Sequence, residues 1–169
     1  MAFGKTSASF TTTDDASAGK YLRERLTAAL SVSVTVKDQY CMIYANAPYY
    51  ENYDVNYGIS GRVQGKTPVP VIGLSANGFA QVVLNVGTRW IKANELGDCL
   101  TQAMVNSQLG PAATKAVDNW WANQTVGPYW ADQILNNPAK FTNAINEINE
   151  LYLKPLLATL PFFQEWNLV

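Results

Sequence analysis

Apolar positions fall at helical spacing near both ends of this chain and alternate in its middle. Ala18, Leu22, Leu26, Ala29 and Leu30 recur every three or four residues after Asp14 and Asp15, predicting an amphipathic helix capped by one of those carboxylates, with basic residues on its other side. Ser31-Val32-Ser33-Val34-Thr35-Val36 then alternates strictly, as a half-buried strand does. Lys37-Asp38-Gln39 reads as a turn into a second strand, Tyr40 to Ala45, which Pro48 ends. A short strand is expected around Ile59–Val63. The clearest local signal is Val69–Ser75 and Phe79–Val86 around Ala76-Asn77-Gly78, where Asn-Gly between β-branched runs predicts a hairpin with a type I′ turn. Thr88–Lys92 follows as one more strand.

From Asn94 the spacing becomes helical. Leu96, Cys99, Leu100, Ala103 and Met104 fall on one face behind Asn94 as N-cap, and Gly110-Pro111 is expected to stop that helix. Further helices are predicted over 112–123, around Tyr129–Leu135, and from Asn137-Pro138 through Phe141, Ile145, Ile148 and Tyr152 to Lys154-Pro155. Trp120 and Trp121 point to opposite sides of their helix, so one belongs in the core and the other needs a second layer or a contact.

The predicted fold class is therefore α+β: an N-terminal helix, a mostly antiparallel sheet, then a helical half. No repeat or linker divides it, giving a single domain over 14–159. Residues 1–13 read as an extended polar arm carrying Phe3 and Phe10, and 160–169 as an apolar tail after Pro161 has stopped any helix. Val32, Val34, Val36, Val71, Leu84, Leu100, Ile145 and Ile148 are the expected core.

Composition changes the picture in one respect. Charged residues make up 15% of the 169, against about 25% in an ordinary soluble domain. Asn, about one residue in eleven, and other uncharged polar groups take their place. Such a surface repels its neighbours weakly, which favours lateral association. The net charge is −1 and the only basic cluster is Lys20, Arg23 and Arg25, so nucleic acid is not an expected partner. No apolar run has membrane-spanning length, and the start lacks a signal-peptide core, which points to cytoplasmic synthesis and no membrane partner. Cys41 and Cys99 do not make a disulfide framework and read as two small buried thiols.

The chain contains no histidine, which removes the commonest general base and metal ligand together. Ser–His and Cys–His nucleophiles and zinc sites built on His or paired Cys are thereby excluded. Gly61-Arg62-Val63-Gln64-Gly65-Lys66-Thr67 has three residues where a phosphate loop needs four, and it runs into a strand through Pro68 and Pro70. Glu51, Asp54, Glu95 and Asp98 are the carboxylates available for glycoside-type chemistry, but thirteen acidic residues offer such pairs by chance. No cofactor, metal or catalytic residue is assigned, and the expectation is a protein that is not an enzyme.

Two features rise above that background. Tyr49, Tyr50, Tyr53 and Tyr57, interleaved with Asn and Gly, have the chemistry of a contact surface, unless the rings fold back as a lid on the core. Phe162, Phe163 and Trp166 in the tail are anchors that dock either on a neighbour or along their own subunit. With low charge and two terminal arms, these features fit a structural subunit of a homo-oligomeric particle. Its expected partners are copies of itself and other particle proteins. Small connector, tail or capsid-associated proteins of tailed bacteriophages have this character, which would locate the chain in a virion. The alternative is a monomeric carbohydrate- or small-ligand-binding module using the tyrosine loop and Trp90.

Overall fold

A computed structural model of the chain describes residues 13–44, 46–54, 56, 58–124 and 129–168. The fold is α+β, with an N-terminal helix, a seven-stranded antiparallel sheet and a helical C-terminal half. Two compact units are formed. One is helical and combines the described residues up to Thr35 with Val105–Gln164; the other holds the sheet and combines Val36–Met104 with Glu165–Leu168. All but Thr13 of the expected N-terminal arm lies outside the described residues.

The strands are β1 (Tyr40–Ile43), β2 (Pro48–Tyr50), β3 (Gly61–Arg62), β4 (Thr67–Leu74), β5 (Phe79–Leu84), β6 (Gly87–Lys92) and β7 (Leu96–Cys99). They pair in the order β3-β2-β6-β5-β4-β1-β7. Ala80, Val82 and Ile91 from the middle strands are fully buried. They share one apolar cluster with Cys41 and Ile43 of β1, Val69 and Val71 of β4, and with Ala47 and Val63 beside β2 and β3. Tyr49 from one end of the strand order and Leu96 and Cys99 from the other pack on the same cluster. Two main-chain bonds beyond the strand ladders hold the segment after β1 against the end of β3: Asn46 N–H to Val63 O and Val63 N–H to Ala47 O, both 2.9 Å.

Cys41 and Cys99 stand directly opposite each other in the β1–β7 register and form a disulfide. The expectation of two free thiols is corrected: cysteines 58 residues apart look unrelated in sequence, and only antiparallel pairing makes them cross-strand neighbours.

Other expectations change here for local reasons. Pro48 opens β2 rather than ending a strand, because the first residue of a strand need not donate to the ladder. In the β4–β5 hairpin only Gly78 has positive φ, at 87°, so the turn is not type I′. Gly78 N–H bonds to Ser75 O and Ser75 N–H to Phe79 O, giving a three-residue loop with a left-handed glycine. The helix expected from Asn94 is one 3-10 turn, Ala93–Glu95, followed by β7. Spacing that resembled a helical face is there a strand with Leu96 and Cys99 turned towards the sheet core.

The alternating segment 31–36 is not a strand. Ser31 and Ser33 donate their hydroxyls to Ala28 O and Leu30 O, continuing the helix end rather than starting a ladder. Val36 N–H bonds to the side chain of Gln102 instead of a strand. Val32 is consequently 56% exposed, and Val34 and Val36 are half-buried.

The helical unit starts with α1 (Thr13–Leu30), whose Leu22, Leu26 and Leu30 are fully buried. α2 spans Gln102–Ala122, opened by Thr101, whose hydroxyl accepts from Met104 N–H. It passes straight through Gly110-Pro111, where a stop was expected. An internal proline costs a helix about 3 kcal/mol. Leu109, Ala112, Ala113, Ala116, Val117 and Trp120 are all buried around it, and their packing outweighs that cost.

α3 (Trp130–Leu135) and α4 (Pro138–Ile148) follow. Asn137 caps α4 by accepting from Ala139 and Lys140 N–H, with Pro138 at the first helical position as predicted. A π turn, Asn149–Leu153, and α5 (Lys154–Leu157) carry the helix past Pro155. The wider turn lies just before the proline, whose ring disfavours a regular α turn. Ile148 is fully buried, whereas Ile145 and, in the sheet, Leu84 are only half-buried.

Truncation of a filled core position should be costly and truncation of a misassigned one should not. We expect Leu109→Ala to lose about 2–5 kcal/mol and Val32→Ala to stay within about 0.5 kcal/mol of the parent, read by chemical denaturation.

Candidate binding surfaces

The predicted tyrosine loop is divided by the fold. Tyr49 and Tyr50 lie on β2, not in a loop, and a strand sends successive side chains to opposite faces. Tyr49 covers Gly61 of β3, where an added Cβ would meet its phenol, so the ring lies where it does because that position has no side chain. Tyr50 is buried and meets Phe79 edge-on at 5.7 Å and 81°. These two rings therefore belong largely to the sheet.

Tyr53 is 50% exposed, and it is held in place. Its ring meets Trp90 at 5.1 Å and 65°, and its carbonyl accepts from the Asn77 side chain at 2.8 Å. Tyr57 lies outside the described residues.

Beside Tyr49 lies a cleft of about 260 Å³, with Arg62, Gln64 and Thr67 on its polar side and Val83 and Val86 on its apolar side. Arg62 donates to Asn46 O at 2.8 Å. Val83 and Val86 are 40% and 53% exposed, and Ile72 and Leu74 of β4 are 56% and 68% exposed. A single hairpin and its adjoining turn thus present four aliphatic side chains to solvent. Ile72 and Leu74 alternate with the buried Val69 and Val71 along β4, and Val83 follows the buried Val82 on β5, so all three lie on the strand face turned away from the core.

The tail is also corrected. Pro161 begins a helix, α6 (Pro161–Glu165), instead of stopping one, because proline suits a first turn. Phe163 is fully buried and Trp166 is 4% exposed within the chain itself. Phe162 is half-buried and meets Phe163 edge-on at 5.3 Å. Trp166 lies 6.2 Å from the Tyr40 ring, and Glu165 pairs with Lys66 at 2.9 Å.

The four candidate carboxylates are spread over two segments. Glu51 and Asp54 follow β2, with Asp54 accepting from Asn56 N–H, while Glu95 closes the 3-10 turn and Asp98 lies on β7. Among the described residues no three His, Cys, Asp or Glu side chains gather as a metal site would require. Lys66, in the segment compared with a phosphate loop, is occupied by Glu165. Among the described residues no helix is long and apolar enough to cross a membrane.

Comparison with known protein families, curated proteins and solved structures gives no match. The functional reading rests on this chain alone.

Two contacts of the sheet unit with residues 165–168 involve groups whose pKa is raised, for different reasons. The Lys66 ammonium is pushed above its ordinary range, first by its hydrogen bond to Glu165, and partial burial pushes the Tyr40 phenol up from 10.0. A group whose folded pKa is raised contributes stability that is complete below its unfolded value and disappears as pH climbs through the folded one. Alkaline pH, above about 10, should therefore weaken the attachment of Trp166. We expect Tyr40→Phe, compared with the parent by denaturation from neutral to alkaline pH, to gain relative stability only above that point. A difference constant across the range would contradict the assignment.

Proposed function

We propose that the chain is a non-enzymatic subunit of a homo-oligomeric particle, associating with copies of itself through the β4–β5 hairpin. The observation that carries this reading is the group of aliphatic side chains exposed there: Ile72, Leu74, Val83 and Val86. Full burial of such a side chain is worth about 1.5–3 kcal/mol, and covering their exposed remainder against a second copy would recover part of that for each. The low surface charge supports the same reading, since few like charges oppose close approach.

The disulfide adds a second line of support. Such bonds persist mainly outside reducing cytosol, in compartments that include virion surfaces. A particle component made in a cytoplasm and released to the exterior would meet that condition, and a connector, tail or capsid-associated protein of a tailed bacteriophage is the form we favour. The tail anchors Phe163 and Trp166 are occupied within the chain, so the hairpin takes the role first expected of the termini. Tyr53, backed by Trp90, is a second contact point on the same sheet unit.

Sedimentation velocity across a concentration range, with negative-stain microscopy of the concentrated sample, tests the proposal. The intact chain should form rings or lattices. A Leu74→Glu/Val83→Glu variant, altered only at exposed positions, should keep its circular dichroism spectrum and sediment as a monomer. A parent that is monomeric throughout, or a variant that assembles equally well, would overturn the reading.

A further inference from the structure

The helical unit contains a second cleft, of about 310 Å³, between the end of α2, α3 and α4. That is at the lower end of the size range of small-molecule sites. One lip is written plainly in the sequence. Lys140, Asn143, Ala144 and Glu147 occur at i, i+3, i+4 and i+7, which aligns them on a single stripe of α4. The short Ala144 side chain leaves room between its polar neighbours. Gln133 of α3 and Gln124 beyond α2 add their amides to the lining.

The apolar wall is a tryptophan cluster. Trp130 is half-buried, with its ring 5.6 Å from that of Trp120 and 5.5 Å from that of Trp121. Trp121 is in turn fixed by α1: Gly19 leaves space for its ring, a Cβ there would lie 2.8 Å from it, and Arg23 stacks at 4.9 Å. Trp120, almost fully buried, donates its indole N–H to Glu147 Oε2 at 2.7 Å. This bond orients the carboxylate, whose other oxygen can accept a further hydrogen bond.

The chemistry of this lining selects a ligand class. An indole wall facing amides, one ammonium and one carboxylate supplies both donors and acceptors around an apolar surface. Lys140 and Glu147 offset each other, so no net charge is recognised. Their backbone positions lie about 10 Å apart along the helix, so the two charges stand at opposite ends of this lip. A saccharide ring meets these demands: its C–H face stacks on an indole, and each of its hydroxyls donates and accepts.

We infer that the cleft between α2, α3 and α4 binds a neutral saccharide, with Trp130 as the stacking surface and Glu147, Asn143 and Lys140 as the hydroxyl-reading groups. The site is separate from the β4–β5 hairpin and does not depend on assembly. None of Tyr49, Tyr50, Tyr53 and Trp90 lines it.

Tryptophan fluorescence of the intact chain, titrated with glucose, galactose, mannose, N-acetylglucosamine, maltose and chitobiose, tests it. At least one sugar should give a saturable change with a dissociation constant in the millimolar range or tighter. Glu147→Gln and Asn143→Ala should each weaken that sugar by about tenfold or more while circular dichroism is unchanged. Asn143 is exposed, so its variant remains informative if loss of the Trp120 bond unsettles the Glu147 one. Tyr53→Ala should bind as the parent does. Absence of binding by every sugar, binding that survives both cleft substitutions, or a response to free amino acids alone would each overturn the inference.

Discussion

A sheet whose outer strands are only two to four residues long has little apolar area at its edges, so it must share a core between its ends. That constraint organises the sheet unit. Ala80, Val82 and Ile91 form the fully buried centre, and every other strand contributes to the protein by adding to that cluster or by pairing with a strand that does. The disulfide fits the same logic. β7 pairs only with β1 in the strand order, and Cys41–Cys99 ties that pairing covalently at the point where the register is irregular. Closing a loop of 58 residues restricts the unfolded chain by about 4 kcal/mol on an entropic account.

The helical unit is built around its tryptophans instead. Trp120 and Trp121 are adjacent and both buried, which a helix permits only when it is covered on two sides. α1 covers one through Gly19 and Arg23, while Glu147 of α4 receives the indole N–H of the other. Trp130 touches both rings. The same packing that solves the burial of two neighbouring indoles leaves one indole at a polar cleft, so a stability device and a candidate binding site share their residues. The sheet unit differs in leaving aliphatic side chains, Ile72, Leu74, Val83 and Val86, that its core does not absorb.

Much of this was legible in the sequence. The α1 leucines, the hairpin flanking Asn77-Gly78, the capped start of α4 and the α+β order follow from periodicity and turn chemistry. What was missed shares a cause: local pattern was overruled by partners distant in sequence. Leu96–Cys99 is a strand because β1 pairs with it; residues 31–36 alternate but have a helix end and Gln102 as partners. Pro111 and Pro161 look like stops from sequence alone, yet one is held by buried neighbours and the other sits where a helix accepts proline. Because the helical unit is assembled from segments on either side of the sheet, no composition shift marks its boundary. The Lys140–Glu147 stripe was present in the sequence, but only the opposing indoles identify it as the lip of a cleft.

One shared cluster carries the sheet, and the disulfide fastens its last strand. Native-state hydrogen exchange, measured residue by residue with and without a thiol reductant, tests this most directly. Amides of β5 and β6 should be the slowest of the sheet unit in both conditions, and reduction should release β7 selectively. Exchange that is equally fast across all strands, or reduction that leaves β7 protected while β5 and β6 open, would contradict the account.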